Sequence, residues 1–382
     1  MALTLRIHTR LEEIRADHWD ALRPDGNPFL SHAFLAGLER HECVRSELGW
    51  QGWHLAWYRG DTLVAAVPAY LKGNSHGEFV FDWSWAQAHE LSGGRYYPKL
   101  VCAVPYTPVT GPRLLTGSGR NATLERALAD TLINETRRLG LSGAHINFPD
   151  PETCASLVRD PRWLPRQDVQ FHWHNRGYRD FDDFLDALNH KKRKNIRQER
   201  QRLHGAGWRF ERRRGGDLDD RDWRFVHALY VRTFAEKGNY PALTESFFRH
   251  LGQALPDQTQ VTLARGPDGR PAAMALYLQG DGRLYGRYWG CLHPVPGLHF
   301  ECCYYQGIEH AIERGLAVFE PGAQGEHKLA RGFLPVLTRS FHYLHDAGLR
   351  ARVVRALDQE RAAVSGWYRE LDARSPYAQS AD

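Results

Sequence analysis

The chain has no run of about 18 apolar residues, the length a membrane-spanning helix needs, anywhere in its 382 residues, so no integral membrane association is expected. Its opening, MALTLRIHTRLEEI, carries charges where a secretory leader needs an apolar core. The six cysteines (Cys43, Cys102, Cys154, Cys291, Cys302 and Cys303) show no C-x-x-C spacing. Cys302 and Cys303 are adjacent and point apart on a helix, so the thiols read as free and the protein as cytoplasmic. No G-x-S-x-G turn is present, which removes the usual signature of a serine hydrolase. In FHWHN (171–175) His172 and His174 share one face of a strand, but no third or fourth ligand accompanies them, so no metal is expected. No segment is low-complexity.

The composition is that of a folded protein. Hydrophobic residues make up 42% and charged residues 25%, enough to fill a core and too balanced for a disordered chain. A single core stops growing near about 250–300 residues, so this length predicts two domains. A net charge of +5 and a pI near 8.9 mildly favour phosphate-bearing partners.

Element signals alternate along the chain. Helices are expected at 11–22 and 31–40, the second capped by Ser31. Strands are expected at 53–59, 62–72 and 77–86, the first two joined through Gly60-Asp61. A Pro/Gly-rich aromatic stretch, YYPKLVCAVPYTPVTGPRLL, precedes a helix at 122–139 that stops at Gly140, and a buried strand at 144–148. The second half repeats this order: helices at 219–236 and 244–254, strands at 261–265, 272–279 and 283–291, a helix at 298–314 and a strand at 316–320. TLVAAVPAYLK with GEFVFDWSWA is similar to RPAAMALYLQ with GRLYGRYWGC, which suggests a duplicated domain. The expected division is 1–170, a connecting segment 171–210, 211–349, and a C-terminal helix within 350–382.

The segment 290–333, GCLHPVPGLHFECCYYQGIEHAIERGLAVFEPGAQGEHKLARGF, carries the densest chemistry. A helix that begins beside a Pro/Gly loop aims unpaired N–H groups and its positive dipole end into that loop. His299 is placed to bind an anion there, and Glu301, in the first turn, to move a proton. Glu320 closes a buried strand just before Pro321-Gly322. Glu326, His327 and Lys328 put three kinds of titratable group directly after Gly-Ala-Gln-Gly, and Glu320, Glu326 and His327 are the candidates for the catalytic base. Between the halves, a helix at 190–202 holds seven cations and a single acid. Its Arg193, Arg197 and Arg200 recur at i, i+4 and i+7 on one face. That face reads as solvated, or as a contact for a polyanion such as tRNA or a nucleotide-linked precursor, or for an anionic membrane surface.

Taken together, FDWSWA, YYPKLVCAVPYTPVTGPR, FHWHNRGYRDFDDFLDALNHKKRKNIRQER, and LHFECCYYQGIEHAIERGL with FEPGAQGEHKLARGF resemble the FemAB-like branch of the GNAT acyltransferase superfamily over about residues 30–345. The resemblance implies an α/β fold of two tandem GNAT-like (acyl-CoA N-acyltransferase) domains, mixed sheets flanked by helices. It implies transfer of an acyl or aminoacyl group to an amine. Fem-type ligases take an amino acid from aminoacyl-tRNA to a lipid- or nucleotide-linked peptidoglycan precursor. By that resemblance the first domain holds the acceptor, with Asp82, Lys99, Tyr106 and Arg113 bordering its site. Lys328 and Arg331 lie where such ligases carry a charge clamp, and the end of the strand at Glu320 lies at the active cleft.

One departure concerns the donor. Acetyl-CoA users carry R/Q-x-x-G-x-G/A before the helix that here follows HPVPGLHF (293–300), which does not fit. The literal match, Arg202 to Gly207, falls at the end of the basic helix and reads as a helix cap. The donor is therefore open between acyl-CoA and aminoacyl-tRNA. An acyl-CoA-dependent enzyme acting on a small molecule and a non-catalytic polyanion-binding protein of the same fold are the alternatives.

Overall fold

The computed structural model describes residues 3–323 and 325–378. The chain forms two compact units, one of residues 1–168 and 337–366, the other of 169–336 and 367–382. After Val336 the chain thus returns to the first unit, so 337–349 packs there and not with the second half.

In the first unit β1 (Leu3–His8), β3 (His54–Arg59) and β4 (Thr62–Val67) form a small antiparallel sheet, interrupted in sequence by β2 (Trp50–Gly52). A second sheet runs β2, β5 (Ala69–Lys72), β6 (Lys99–Cys102), β7 (Gly143–Asn147), with β6 and β7 parallel. The second unit takes β8 (Leu164–His174), β9 (Arg209–Arg214), β10 (Thr259–Arg265), β11 (Pro271–Gly280), β12 (Arg283–Cys291) and β13 (Val318–Glu320) in the order β8-β13-β12-β11-β10-β9. The last strand, β14 (Leu334–Leu344), pairs with β7 through Ser340–Leu344.

Strand alternation gives the first unit's larger sheet two unlike faces. Ala69, Leu100, Cys102, Ala144, Ile146, Phe341 and Tyr343 point one way and pack with Leu128, Leu132 and Ile133 of the helix Ala122–Arg138. By register the opposite face carries Lys72, Lys99, His145 and His342, which are buried as well. Such a face survives only if other groups neutralise and bond it.

Those groups come from a segment the sequence pattern misrepresents. Residues 77–86 alternate like a strand, yet the chain turns at Phe79 (φ 59°) and becomes the helix Trp83–Glu90. Glu78 and Asp82 dive onto Lys99, and this ion cluster overrides the local β propensity. The expected helix at 11–22 is likewise two short pieces, Leu11–Glu13 and Ala16–Asp20.

In the second unit, the expected helix at 298–314 contains a π-helical turn at Glu301–Tyr305 between Leu298–Phe300 and Gln306–Glu313. Widened turns of this kind concentrate at functional sites. Beside it, β12 and β13 pair in parallel only from Arg283/Val318 to Tyr285/Glu320. β13 then ends, Pro321 leads away, and β12 continues to Cys291 against β11, with a bulge at Arg287.

Candidate functional site

The divergence of β12 and β13, the π-helical turn and loop residues 321–323 and 325–333 bring together one group of side chains in the second unit. Tyr304 Oη and His327 Nε2 are 2.8 Å apart. The His299 ring stands 5.3 Å from that of Tyr304 and 6.0 Å from that of His327. Gly325 permits this arrangement: its φ is 109°, and a Cβ there would lie 2.3 Å from the His327 ring.

Electrostatics keep these groups neutral. Burial first, then His327, Lys237, Lys328 and Arg331, press His299 down to about 4. The partial burial of the His327 ring, aided by Lys328 and Arg331, lowers its pKa too. Burial raises the Tyr304 phenol, so at neutral pH a protonated tyrosine faces a neutral imidazole, an arrangement suited to proton transfer.

Lys328 is 2% exposed, and its ammonium donates to the Gly322 carbonyl at 2.6 Å. Burial pushes it down to about 7, with Cys303 opposing. A lysine so placed changes charge readily when an anion arrives. The Arg331 guanidinium donates to the His327 carbonyl at 2.9 Å and lies 3.4 Å from the Phe300 ring centre.

The carboxylates divide differently from the sequence expectation. Glu301 is fully buried and faces Arg200 through both oxygens, at 3.0 and 3.1 Å, with Gln306 Nε2 at 2.8 Å. Glu320 is buried, 2.9 Å from Arg283 and 3.8 Å from His172. Glu326 is exposed, 3.5 Å from Arg374. Thus His299, His327, Lys328 and Arg331 come together, while the glutamates are engaged around them.

The basic helix, His190–Gly205, is spent unevenly. Arg193 pairs with Asp186 at 2.8 Å, and Arg197 reaches Asp182 and Asp186 at 3.4 and 3.6 Å. Arg200 turns inward to Glu301 and Glu309. Lys191 and Lys194 stay exposed. Arg202–Gly207 forms the helix end, with Gly207 at φ 86°.

In the first unit, Lys99 is fully buried and donates to Asp82 at 2.5 Å, Glu78 at 3.0 Å and Ser75 Oγ at 3.0 Å. Tyr96 Oη and Ser75 Oγ also donate to Asp82, and Tyr97 Oη is 2.7 Å from Ser75 Oγ. Lys99 is therefore neutralised from within, which leaves it poorly disposed toward a phosphate. Arg113 is buried and donates to the carbonyls of Val109, Asn147 and Pro112. Tyr106, at φ 57°, donates to the Cys43 carbonyl at 2.9 Å.

Sequence reasoning passed over Tyr304, Tyr305, Glu199, Ser75 and Glu78. The tyrosines read as core, as most aromatics are. Glu199 had a signal, being the single acid in a basic helix.

Both units are mixed α/β sheets flanked by helices. A family model described as peptidoglycan biosynthesis/recognition matches residues 10–379, and the chain belongs to that FemAB-like family. FemX is similar in structure, with a TM-score of 0.53 at 12% identity, over 93% of this chain and 100% of FemX. L-PGS from Bacillus licheniformis superposes with a TM-score of 0.51 at 11% identity, over 84% of this chain and 95% of its own. A conserved protein from Bacteroides thetaiotaomicron gives 0.52 at 10% identity, over 89% and 100%. At such identities the likeness concerns the fold. No curated protein matches the sequence.

Proposed function

We propose that the protein is an N-acyltransferase that moves an acyl or aminoacyl group to an amine, the acceptor being a peptidoglycan precursor. The observation that carries this reading is the Tyr304–His327 pair, held beside buried Lys328 where β12 and β13 part. Amide formation requires the attacking ammonium to lose a proton and the tetrahedral oxyanion to be stabilised. As the amine nitrogen bonds to the donor's carbonyl carbon, Tyr304 takes a proton from it and passes its own to neutral His327; when the tetrahedral intermediate collapses, the donor's C–S or C–O ester bond breaks and the imidazolium returns that proton to the leaving thiol or hydroxyl. Lys328 balances negative charge on the donor or on the oxyanion, while Arg331, paired with Glu199, holds the His327 backbone in place. His299 completes the wall against water.

The first unit takes the acceptor side in this reading, with the Asp82–Lys99 cluster shaping its loops. Acyl-CoA and aminoacyl-tRNA are the two donor classes, and the exposed Lys191 and Lys194 suit the larger polyanion. The setting is cytoplasmic, with transient contact at a membrane surface when the precursor is lipid-linked; among the described residues no helix is long and apolar enough to cross a membrane.

Thermal unfolding in the presence of CoA, acyl-CoAs, UDP-linked precursors, and charged or uncharged tRNA tests the assignment. Stabilisation by a UDP-linked precursor together with a donor is expected. Stabilisation by a CoA species alone would favour the small-molecule acyltransferase, and by none of them, a non-catalytic protein.

A further inference from the structure

We propose that Glu199, from the middle of the basic helix, is a positioning residue that holds the His327 loop in its working form; this rests on the reading of His327 given above. Four contacts converge on Arg331. Its Nη2 donates to Glu199 Oε1 at 2.8 Å, its Nε to Tyr305 Oη at 3.1 Å and its Nη1 to the His327 carbonyl at 2.9 Å, while its face covers Phe300. Tyr305 Oη in turn donates to Glu199 Oε2. One carboxylate thus receives the π-helical turn through Tyr305 and the loop through Arg331.

The charges make this junction selective. The Arg331 side chain is 10% exposed, and Glu199 is the carboxylate that neutralises it. A guanidinium buried without its partner moves toward water. Here that movement carries away the hydrogen bond that fixes the His327 backbone. The next residue, Arg200, grips the same turn by the opposite polarity through Glu301, and the helix that follows it through Glu309. Neighbouring residues of opposite sign on one helix therefore tie it to both walls of the site. That gives the lone acid of the cationic helix its role at position 199.

The test is side-chain NMR of the full chain, following the His327 Cε1–H signal (assigned by its loss in His327→Asn) across pH, with amide exchange of residues 325–333. His327 is faced by Tyr304, His299, Phe300, Lys328 and Arg331. In Glu199→Ala the ring should lose its Tyr304 contact and part of its burial, so its pKa rises toward the ordinary value. Loop amides should exchange about tenfold faster or more, with β10–β12 unchanged. Glu199→Gln keeps an acceptor for Tyr305 and Arg331 and should restore most of the protection. Arg197→Ala, on the outward face, should change neither readout.

The proposal is overturned if Glu199→Ala leaves His327 and the loop as in the wild type, if Gln is as disruptive as Ala, or if the sheet loosens as much as the loop. These readouts need no turnover. If His327→Asn proved fully active, the catalytic reading would fall while the positioning result stood.

Discussion

Tyr304 and His327 are one hydrogen bond apart, and each is weak alone as an acid or base at neutral pH. His327→Asn removes the proton acceptor and should lower the transfer rate by about 10²–10⁴-fold, with little change in melting temperature because the ring is half in solvent. Tyr304→Phe should cost less and shift the pH–rate profile, since the amine then meets the imidazole directly. Comparable rates for wild type and His327→Asn would remove the histidine from the mechanism. Lys328 supplies a test of opposite sign. Below about pH 7 its folded form carries a buried charge, so Lys328→Met should stabilise the protein, on the order of 1–3 kcal/mol, and abolish transfer. A destabilised, active Lys328→Met protein would make the lysine structural.

At the scale of elements, the sequence pattern located most helices and strands but not their interruptions. The helix at 298–314 was visible from its apolar face and Gly315. The π-helical turn within it was not, because its cause is the fit of Tyr304, Tyr305 and Glu301 to residues far away in the chain. Residues 77–86 read as a strand because Phe79, Phe81, Trp83 and Trp85 alternate, and nothing local says that Glu78 and Asp82 answer a lysine some twenty residues on. His327, Lys328 and Arg331 were legible as candidates since one short loop holds them. Tyr304 needed the packing, and so did the partners of Glu199, whose isolation in a basic helix marked it without saying what it meets. The buried pair Arg200–Glu301 gives this scale its prediction. Glu301→Ala leaves Arg200 with Glu309 alone and Gln306 without its acceptor at 2.8 Å, and should cost about 1–3 kcal/mol, read by chemical denaturation, whereas a proton-transfer role alone would leave stability untouched.

Across the whole molecule, buried titratable groups set an unusual dependence of stability on pH. Burial drives His145 and His172 from 6.5 to about 3 and His299 to about 4. As pH falls from 6.5, the unfolded chain takes up protons that these folded-state imidazoles refuse, so stability declines. Glu78, raised from 4.5 to about 7 by burial, acts in the opposite sense between those values and offsets part of the loss. Burial lowers Lys72 and Lys328 from 10.5 to about 7, so stability rises again from pH 7 toward 10.5. Calorimetry should show the melting temperature climbing from pH 5 through 9; a maximum near pH 5 would contradict these buried neutral states. Lys99→Met should remove most of the first unit's stability by leaving Asp82 and Glu78 uncompensated.

The central claim is that loop residues 325–333 and the π-helical turn form an amide-forming centre. Its most direct test is mass spectrometry of a UDP-linked peptidoglycan precursor incubated with the protein and either aminoacyl-tRNA or acyl-CoA. The account predicts a new amide on the precursor's amine with wild-type protein, and its loss with His327→Asn and with Lys328→Met. A modified precursor of equal yield with those two variants, or none with wild-type protein and either donor, would contradict it.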